Sequence, residues 1–151
     1  MITYITGDLV RDAEQFDVIG HCCNCFNTMG SGIAPQIKAK FPEAYAVDNA
    51  TVKGDKSKLG TITYTENTTP IIVNIYGQYD YTGRRRNEMD LDYNALRSGL
   101  RLMKQKFTGK RFALPKLGAG LAGGDWTVIE RILQEEFAGE YVTIVNYEKN
   151  I

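Results

Sequence analysis

The chain has 151 residues, of which 43% are hydrophobic and 24% are charged, with 18 basic and 18 acidic side chains. This length predicts one domain, spanning residues 1–151, that can bury a hydrophobic core. The zero net charge argues against a protein that coats nucleic acid, so we expect no stable nucleic-acid partner. The sequence has no apolar run of roughly 20 residues and no basic leader, so we expect no membrane partner.

Strand-like and helix-like segments alternate along the chain. Apolar residues three or four apart indicate helices, and short β-branched runs indicate strands. The predicted elements, in chain order, are strands at Ile2–Thr6 and Phe16–Cys22, a helix over Ile33–Phe41 that restarts at Pro42, strands at Gly60–Thr65 and Ile71–Tyr76, a polar and aromatic loop over Gly77–Asp90, a helix with Leu96, Leu100, Met103 and Phe107, a strand at Arg111–Leu114, a helix with Trp126, Ile129, Leu133 and Phe137, and a strand at Tyr141–Tyr147. This alternation predicts an α/β fold, a three-layer α/β/α sandwich whose mixed, mainly parallel sheet carries helices on both faces.

Two glycine-rich turns follow predicted strands directly. The first covers residues 24–34 and contains Gly30, Ser31, Gly32 and Ile33; the second covers residues 118–126 and contains Gly118, Ala119, Gly120, Leu121, Ala122 and Gly123. Glycine lets backbone N–H groups approach an anion closely, and the segment after each turn is helix-like. Two such turns predict a site for a diphosphate.

Two polar residues near strand ends are candidates for contacts with the rest of such a ligand. Asp8 and Leu9 follow the first strand, where ligands of open α/β sheets gather. The Asp8 carboxylate can accept a hydrogen bond from an exocyclic amine or a ribose hydroxyl, or it can cap a turn. Asn24 offers a donor and an acceptor to a ribose diol, or it forms an Asx-turn.

His21 and Asp125 are the candidates for acid–base chemistry. His21 is the one histidine of the chain and stands at the end of a buried strand beside the first turn. It can act as a general acid, a general base or a nucleophile, or it can be a packed core residue. Asp125 follows the second turn, where it can orient His21 or activate a water, or cap the last helix.

The remaining reactive residues carry weaker predictions. Cys22, Cys23 and Cys25 are an odd, clustered set that indicates neither a disulfide framework nor a closed zinc site, so we predict no metal. Free thiols favour a cytoplasmic protein. The run 84–86 is three arginines, which can contact a phosphate or remain a solvated charge cluster beside Glu88 and Asp90.

Together these residues resemble the macro domain family, whose members bind ADP-ribose. The resemblance covers nearly the whole chain and is carried by Gly7–Leu9, His21–Asn24, Gly30–Ala34 and Pro115–Gly124. Within the family, the segments Lys40–Ala44 and Asn74–Gln78 and the Gly-Gly-Asp-Trp run are most similar to the branch that removes the phosphate from ADP-ribose 1″-phosphate.

The resemblance implies a role for each matching position and no cofactor. Asp8 would contact the adenine amine with the Leu9 amide nearby, and Asn24 would hold the distal ribose. Both turns would clamp the diphosphate through backbone amides, and His21 and Asp125 would be catalytic.

A second branch of the family removes ADP-ribose from protein or nucleic acid, and a non-catalytic ADP-ribose binder is a third alternative. One lysine-dependent subgroup of that second branch has a lysine near the end of the fourth strand and an aspartate after the second turn's Gly-x-Gly-Leu. Here residues 73–76 contain no lysine, and Ala122 stands in the aspartate's place. Both departures count against the lysine-dependent mechanism.

Overall fold

Six strands form one sheet at the centre of the computed structural model, which describes residues 1–120 and 122–148, the side chain of Arg84 excepted. The strands are β1 Ile2–Gly7, β2 Val18–Cys22, β3 Ile62–Tyr64, β4 Ile71–Ile75, β5 Phe112–Pro115 and β6 Val142–Tyr147. Their order is β1-β6-β5-β2-β4-β3. All neighbouring strands are parallel except β3, which runs antiparallel to β4.

The helices α1 Ala34–Lys40, α2 Pro42–Asn49, α3 Tyr93–Lys106 and α4 Trp126–Glu136 cover the two faces of this sheet. Successive residues of a strand point to opposite faces. On β2, Val18 packs in the core cluster that contains α3 and α4, whereas Ile19 packs in the cluster that contains α1 and α2. The predicted three-layer sandwich is therefore confirmed. None of the helices described here is long and apolar enough to cross a membrane.

The predicted elements are present, with ends that differ by at most two residues. The largest difference is at β3, predicted over Gly60–Thr65 and observed over Ile62–Tyr64. Gly60 has a φ of +86°, in the left-handed region that a strand does not use. Pro42 begins α2 as predicted, because its missing N–H has no partner to lose in a first helical turn.

Three loops meet at one edge of the sheet. Strands β5, β2 and β4 are adjacent and parallel, so the segments that follow Pro115, Cys22 and Ile75 leave the sheet on the same side. These segments are the second glycine-rich turn, the first glycine-rich turn and the loop 77–91.

Candidate functional site

The three loops enclose a cavity of about 540 Å³ at the carboxyl ends of the central strands. This is where ligands of open parallel sheets bind. The described residues that line it are Cys22, Cys23, Asn24, Thr28, Gly30, Ser31, Gly32, Ile33, Ala34, Gln78, Tyr81, Arg85, Asp90, Pro115, Lys116, Leu117, Gly118, Gly120 and Ala122. Both predicted glycine-rich turns therefore face one space.

The first glycine-rich turn presents unpaired backbone amides to this cavity. Within the described part of the chain, the N–H groups of Gly30, Ser31 and Gly32 donate no hydrogen bond. All three residues are exposed, and a Cβ added at Gly30 would meet nothing within 4 Å. Gly32 has a φ of +64°, which a residue with a side chain adopts at a cost. The turn can therefore donate backbone hydrogen bonds to an anion.

The second glycine-rich turn is closed by backbone hydrogen bonds and also has unpaired backbone amides. The amide of Gly124 donates to the carbonyl of Gly118 at 2.8 Å, and Gly123 donates to Gly120 at 3.0 Å. A Cβ at Gly124 would lie 2.5 Å from Cδ2 of Leu91, so a side chain does not fit there. The amides of residues 118, 119 and 120 have no acceptor among the described residues.

Not every residue predicted for the second turn reaches the cavity. Gly118, Gly120 and Ala122 line it, whereas Ala119 and Gly123 do not. Leu121 lies outside the described residues.

Asn24 lines the cavity and also forms the Asx-turn that was its structural alternative. Its Oδ1 accepts from the Phe26 amide at 2.8 Å, and its Nδ2 donates to Oγ1 of Thr28 at 2.8 Å. The side chain is thus held rigidly at the cavity wall. Its contact with a ribose stays a prediction.

Asp8 and Leu9 do not line this cavity. Oδ1 of Asp8 accepts from the Arg11 amide at 3.1 Å, so the carboxylate caps the turn after β1. Leu9 is buried in the core on the α1 and α2 side of the sheet. The predicted adenine contact is therefore not part of the space that the glycine-rich turns enclose.

His21 is completely buried and does not line the cavity. Its Nε2 donates to Oδ1 of Asn74 at 2.6 Å. The direction follows from Asn74, whose Nδ2 donates to the Ala44 carbonyl at 2.9 Å and to Oγ1 of Thr63 at 3.0 Å, leaving Oδ1 as the acceptor. Burial lowers the pKa of His21 to about 4, so the ring is neutral at pH 7.

The structure thus supports the core alternative for His21 and the capping alternative for Asp125. Asp125 is exposed, precedes α4 and accepts from the Thr127 amide through Oδ1 at 2.9 Å. It does not line the cavity and is not hydrogen-bonded to His21. The pattern of a histidine and an aspartate beside two turns gave no information on which way either side chain points.

The loop 77–91 supplies four residues to the site, of which sequence analysis had named only Arg85, in the arginine run 84–86, as a possible phosphate contact. Gln78, Tyr81, Arg85 and Asp90 line the cavity. Both carboxylate oxygens of Asp90 accept from the Gly83 amide at 3.0 Å, and the Asp90 amide donates to the Ala122 carbonyl at 3.0 Å. The available signal was that this loop follows a buried strand, as both glycine-rich turns do.

Two of the three cysteines, Cys22 and Cys23, are part of the cavity wall. Burial raises the pKa of the Cys22 thiol to about 12 and that of Cys23 well above its usual range, so both are protonated thiols at neutral pH. The described residues contain no group of three or more His, Cys, Asp or Glu side chains that could hold a metal ion.

Comparison with known proteins assigns this arrangement to a family. A family model described as Macro domain matches residues 21–133, which include both glycine-rich turns and the loop between β4 and α3. The chain belongs to the macro domain family. A solved structure of a protein of unknown function from Bacteroides thetaiotaomicron has the same macro domain fold, with a TM-score of 0.80, 26% identity, and coverage of 97% of this chain and 98% of that one.

Curated relatives of this macro domain match it over most of their length. An uncharacterized 17.5 kDa protein of Enterobacteria phage T4 is 30% identical over 98% of this chain and 97% of its own. The ADP-ribose glycohydrolase OARD1 of Bos taurus is 28% identical, covering 97% and 90%. An ADP-ribose 1″-phosphate phosphatase of Candida albicans is 27% identical, covering 89% and 93%. Two of these three relatives are therefore hydrolases that act on ADP-ribose compounds.

Proposed function

We propose that this macro domain binds ADP-ribose in the cavity and hydrolyses the terminal phosphate of ADP-ribose 1″-phosphate. The observation that carries the binding part is that two glycine-rich turns present unpaired amides to one cavity of about 540 Å³. Backbone amides bind phosphate without side-chain charge, and two facing sets suit the two phosphates of ADP-ribose. Asn24, at the start of the first turn, would hold the distal ribose.

The phosphatase reaction is favoured by the charges that line the cavity. In this hydrolysis a water oxygen bonds to phosphorus and the water gives up one proton, while the bond from phosphorus to the 1″ oxygen breaks and that oxygen takes up a proton to leave as a hydroxyl. A phosphate monoester carries two negative charges, so cationic donors must offset charge as the bond breaks. Arg85 and Lys116 line the cavity and can supply such charge.

Asp90 is our candidate for holding the attacking water. It is the carboxylate that lines the cavity in the part of the chain that the structure describes. Its two bonds to the Gly83 amide fix its orientation and leave further acceptor sites on both oxygens. Asp90→Asn keeps an acceptor for Gly83 but is a weaker base, so we expect kcat to fall by about 100-fold or more.

The catalytic roles that the family resemblance implies for His21 and Asp125 are untested, and the turnover of their variants tests them. His21 is buried behind the cavity wall and Asp125 caps α4, so we expect their variants to alter stability more than turnover. If a folded His21→Gln or Asp125→Ala variant loses turnover, the substituted residue does take part in catalysis.

Removal of ADP-ribose from a macromolecule is the second candidate function. It is favoured by the match to the OARD1 glycohydrolase, which covers 90% of that protein. The missing lysine in residues 73–76 and Ala122 after Gly120 and Leu121 speak against a lysine-dependent form of this reaction. A water that is held by Asp90 would serve a lysine-independent form.

The decisive experiment combines binding and turnover. ADP-ribose is titrated calorimetrically into the wild type, Gly30→Val and Gly120→Val, since a Cβ at either glycine meets nothing within 4 Å. We expect both variants to lose binding while keeping the wild-type melting temperature, because each added side chain points into open space at the cavity. Tight binding by both variants would exclude this cavity as the ADP-ribose site.

Turnover is followed by release of inorganic phosphate from ADP-ribose 1″-phosphate and, in parallel, of ADP-ribose from a modified protein and a modified DNA. Phosphate release alone supports the phosphatase. Release of ADP-ribose alone favours the second candidate, and binding without either release indicates a non-catalytic macro domain.

A further inference from the structure

Arg85 lacks the carboxylate partner that most of the other described arginine side chains have. Five of those guanidinium groups pair with carboxylates: Arg11 with Asp12, Arg86 with Glu88, Arg97 with Glu135 and Glu136, Arg101 with Glu136, and Arg111 with Asp17. Arg85 makes no ion pair and no side-chain hydrogen bond within the described residues. Arg131 also makes none, but only Arg85 of the two lines the cavity.

The backbone that carries Arg85 is fixed by a set of local hydrogen bonds. Arg85 donates from its amide to the Thr82 carbonyl at 3.1 Å, and the preceding Gly83 amide is held by Asp90. On the far side of the turn, the Glu88 amide donates to the Gly83 carbonyl at 2.9 Å. The turn 83–86 is thus closed at both ends, and it presents an unneutralised cation to the cavity.

An aromatic contact joins the loop that carries Arg85 to the first glycine-rich turn. The ring of Tyr81 meets the ring of Phe26 edge to face, with centroids 6.3 Å apart, and the Phe26 amide is bonded to Oδ1 of Asn24. Tyr81, Arg85 and Asn24 all line the cavity. Arg85 therefore shares the cavity with Asn24, which would hold the distal ribose.

We propose that Arg85 recognises the terminal phosphate of ADP-ribose 1″-phosphate and makes the site prefer it to ADP-ribose. This inference rests on the proposed function, because it takes the distal ribose to lie at Asn24. A guanidinium binds a phosphate through two parallel N–H donors, which suits a terminal monoester better than the internal diphosphate. Neutral backbone amides would bind the diphosphate, which both ligands share. The charge of Arg85 would then act on the terminal phosphate, which ADP-ribose 1″-phosphate has and ADP-ribose lacks.

The test uses a neighbouring arginine as its control. We compare Arg85→Gln, Arg85→Lys and Arg86→Gln, because Arg86 is adjacent and exposed but pairs with Glu88 and does not line the cavity. Arg85→Gln should raise the KM for ADP-ribose 1″-phosphate by about 10- to 100-fold, the effect of losing charged hydrogen bonds. Its Kd for ADP-ribose should stay within about twofold, while Arg85→Lys recovers part of the loss and Arg86→Gln matches the wild type.

The outcomes separate this inference from the proposed function. If Arg85→Gln weakens ADP-ribose and its 1″-phosphate equally, or weakens neither, Arg85 does not select the phosphate and the inference is overturned. If the wild type releases no phosphate, the proposed reaction fails, and the 1″-phosphate can then be titrated directly. If the wild type binds ADP-ribose 1″-phosphate more tightly than ADP-ribose and Arg85→Gln removes this preference, Arg85 is still supported as the selecting residue. If the wild type shows no such preference, the inference is overturned.

Discussion

Lys58 is a buried cation that holds the start of the first glycine-rich turn. It is 7% exposed, and its Nζ donates to the Cys25 carbonyl at 2.9 Å, to Oδ1 of Asn27 at 2.6 Å and to the Val52 carbonyl at 3.1 Å. Lys58→Met keeps an unbranched apolar stem but removes all three donors. We expect this single change to loosen residues 25–27 and to lower the stability of the protein.

The magnitude can be worked out from these contacts. A hydrogen bond to a charged group contributes about 1.5–3 kcal/mol, so three bonds set an upper range of about 4.5–9 kcal/mol. The loss is smaller because removing the ammonium also removes the cost of burying it. Two of the acceptors, the carbonyls of Cys25 and Val52, also keep a second donor, supplied by the amides of Gly54 and Asp55. We therefore expect the free energy of unfolding to fall by about 2–4 kcal/mol.

Urea unfolding at pH 7 measures this change, with Lys53→Met as the matched control. Lys53 is exposed and has no hydrogen-bond partner in the described chain, so its variant should stay within about 0.5 kcal/mol of the wild type. Calorimetry should also show weaker ADP-ribose binding for Lys58→Met, because residues 25–27 lead into Gly30. A loss below about 1 kcal/mol, no larger than that of an average point mutant, would refute the structural role argued for Lys58.

Three further predictions concern other positions. Burial lowers the pKa of His21 from 6.5 to about 4, so below pH 6.5 the imidazole takes up a proton in the unfolded chain before it does so in the folded chain. The free energy of unfolding therefore has its full value above pH 6.5 and falls by about 3 kcal/mol as the pH drops toward 4. Urea unfolding across this range should show a shallower decline for His21→Gln, and an equal decline would contradict the assignment. Gly99→Ala places a Cβ 2.6 Å from Cγ2 of Ile75, so thermal melting should show a net loss of about 1–2 kcal/mol despite the better helix propensity of alanine; a stabilised variant would disprove the clash. Asp125→Ala removes the cap on Thr127 and should cost about 0.5–2 kcal/mol while kcat for phosphate release changes little.

The sequence predicted the fold because its signals are local. The spacing of Leu96, Leu100 and Met103 defines one face of α3, and all three residues are buried in the core. Short β-branched runs defined the strands, and the glycines defined both turns of the site. A turn needs glycine where its backbone has a positive φ or where a side chain would not fit, so glycine-rich turns can be recognised from the residues alone.

Side-chain direction at the site could not be predicted in the same way. Capping by Asp125 was available as an alternative because a cap depends on only three consecutive residues. The burial of His21 depends on Asn74, which is 53 positions away and is its register partner on β4. Proximity in sequence to a glycine-rich turn therefore predicted His21 beside the ligand site, whereas in the folded chain its side chain is buried against Asn74.

The sequence by itself determined the strands, the helices and the two glycine-rich turns, because each rests on residues within a few positions of one another. The tertiary structure alone decided which other residues share the cavity. Strand β4 lies next to β2, and this brings Tyr81, Arg85 and Asp90 of the loop 77–91 into the cavity that both glycine-rich turns line. Strand order comes from long-range packing of apolar faces, which no local spacing records.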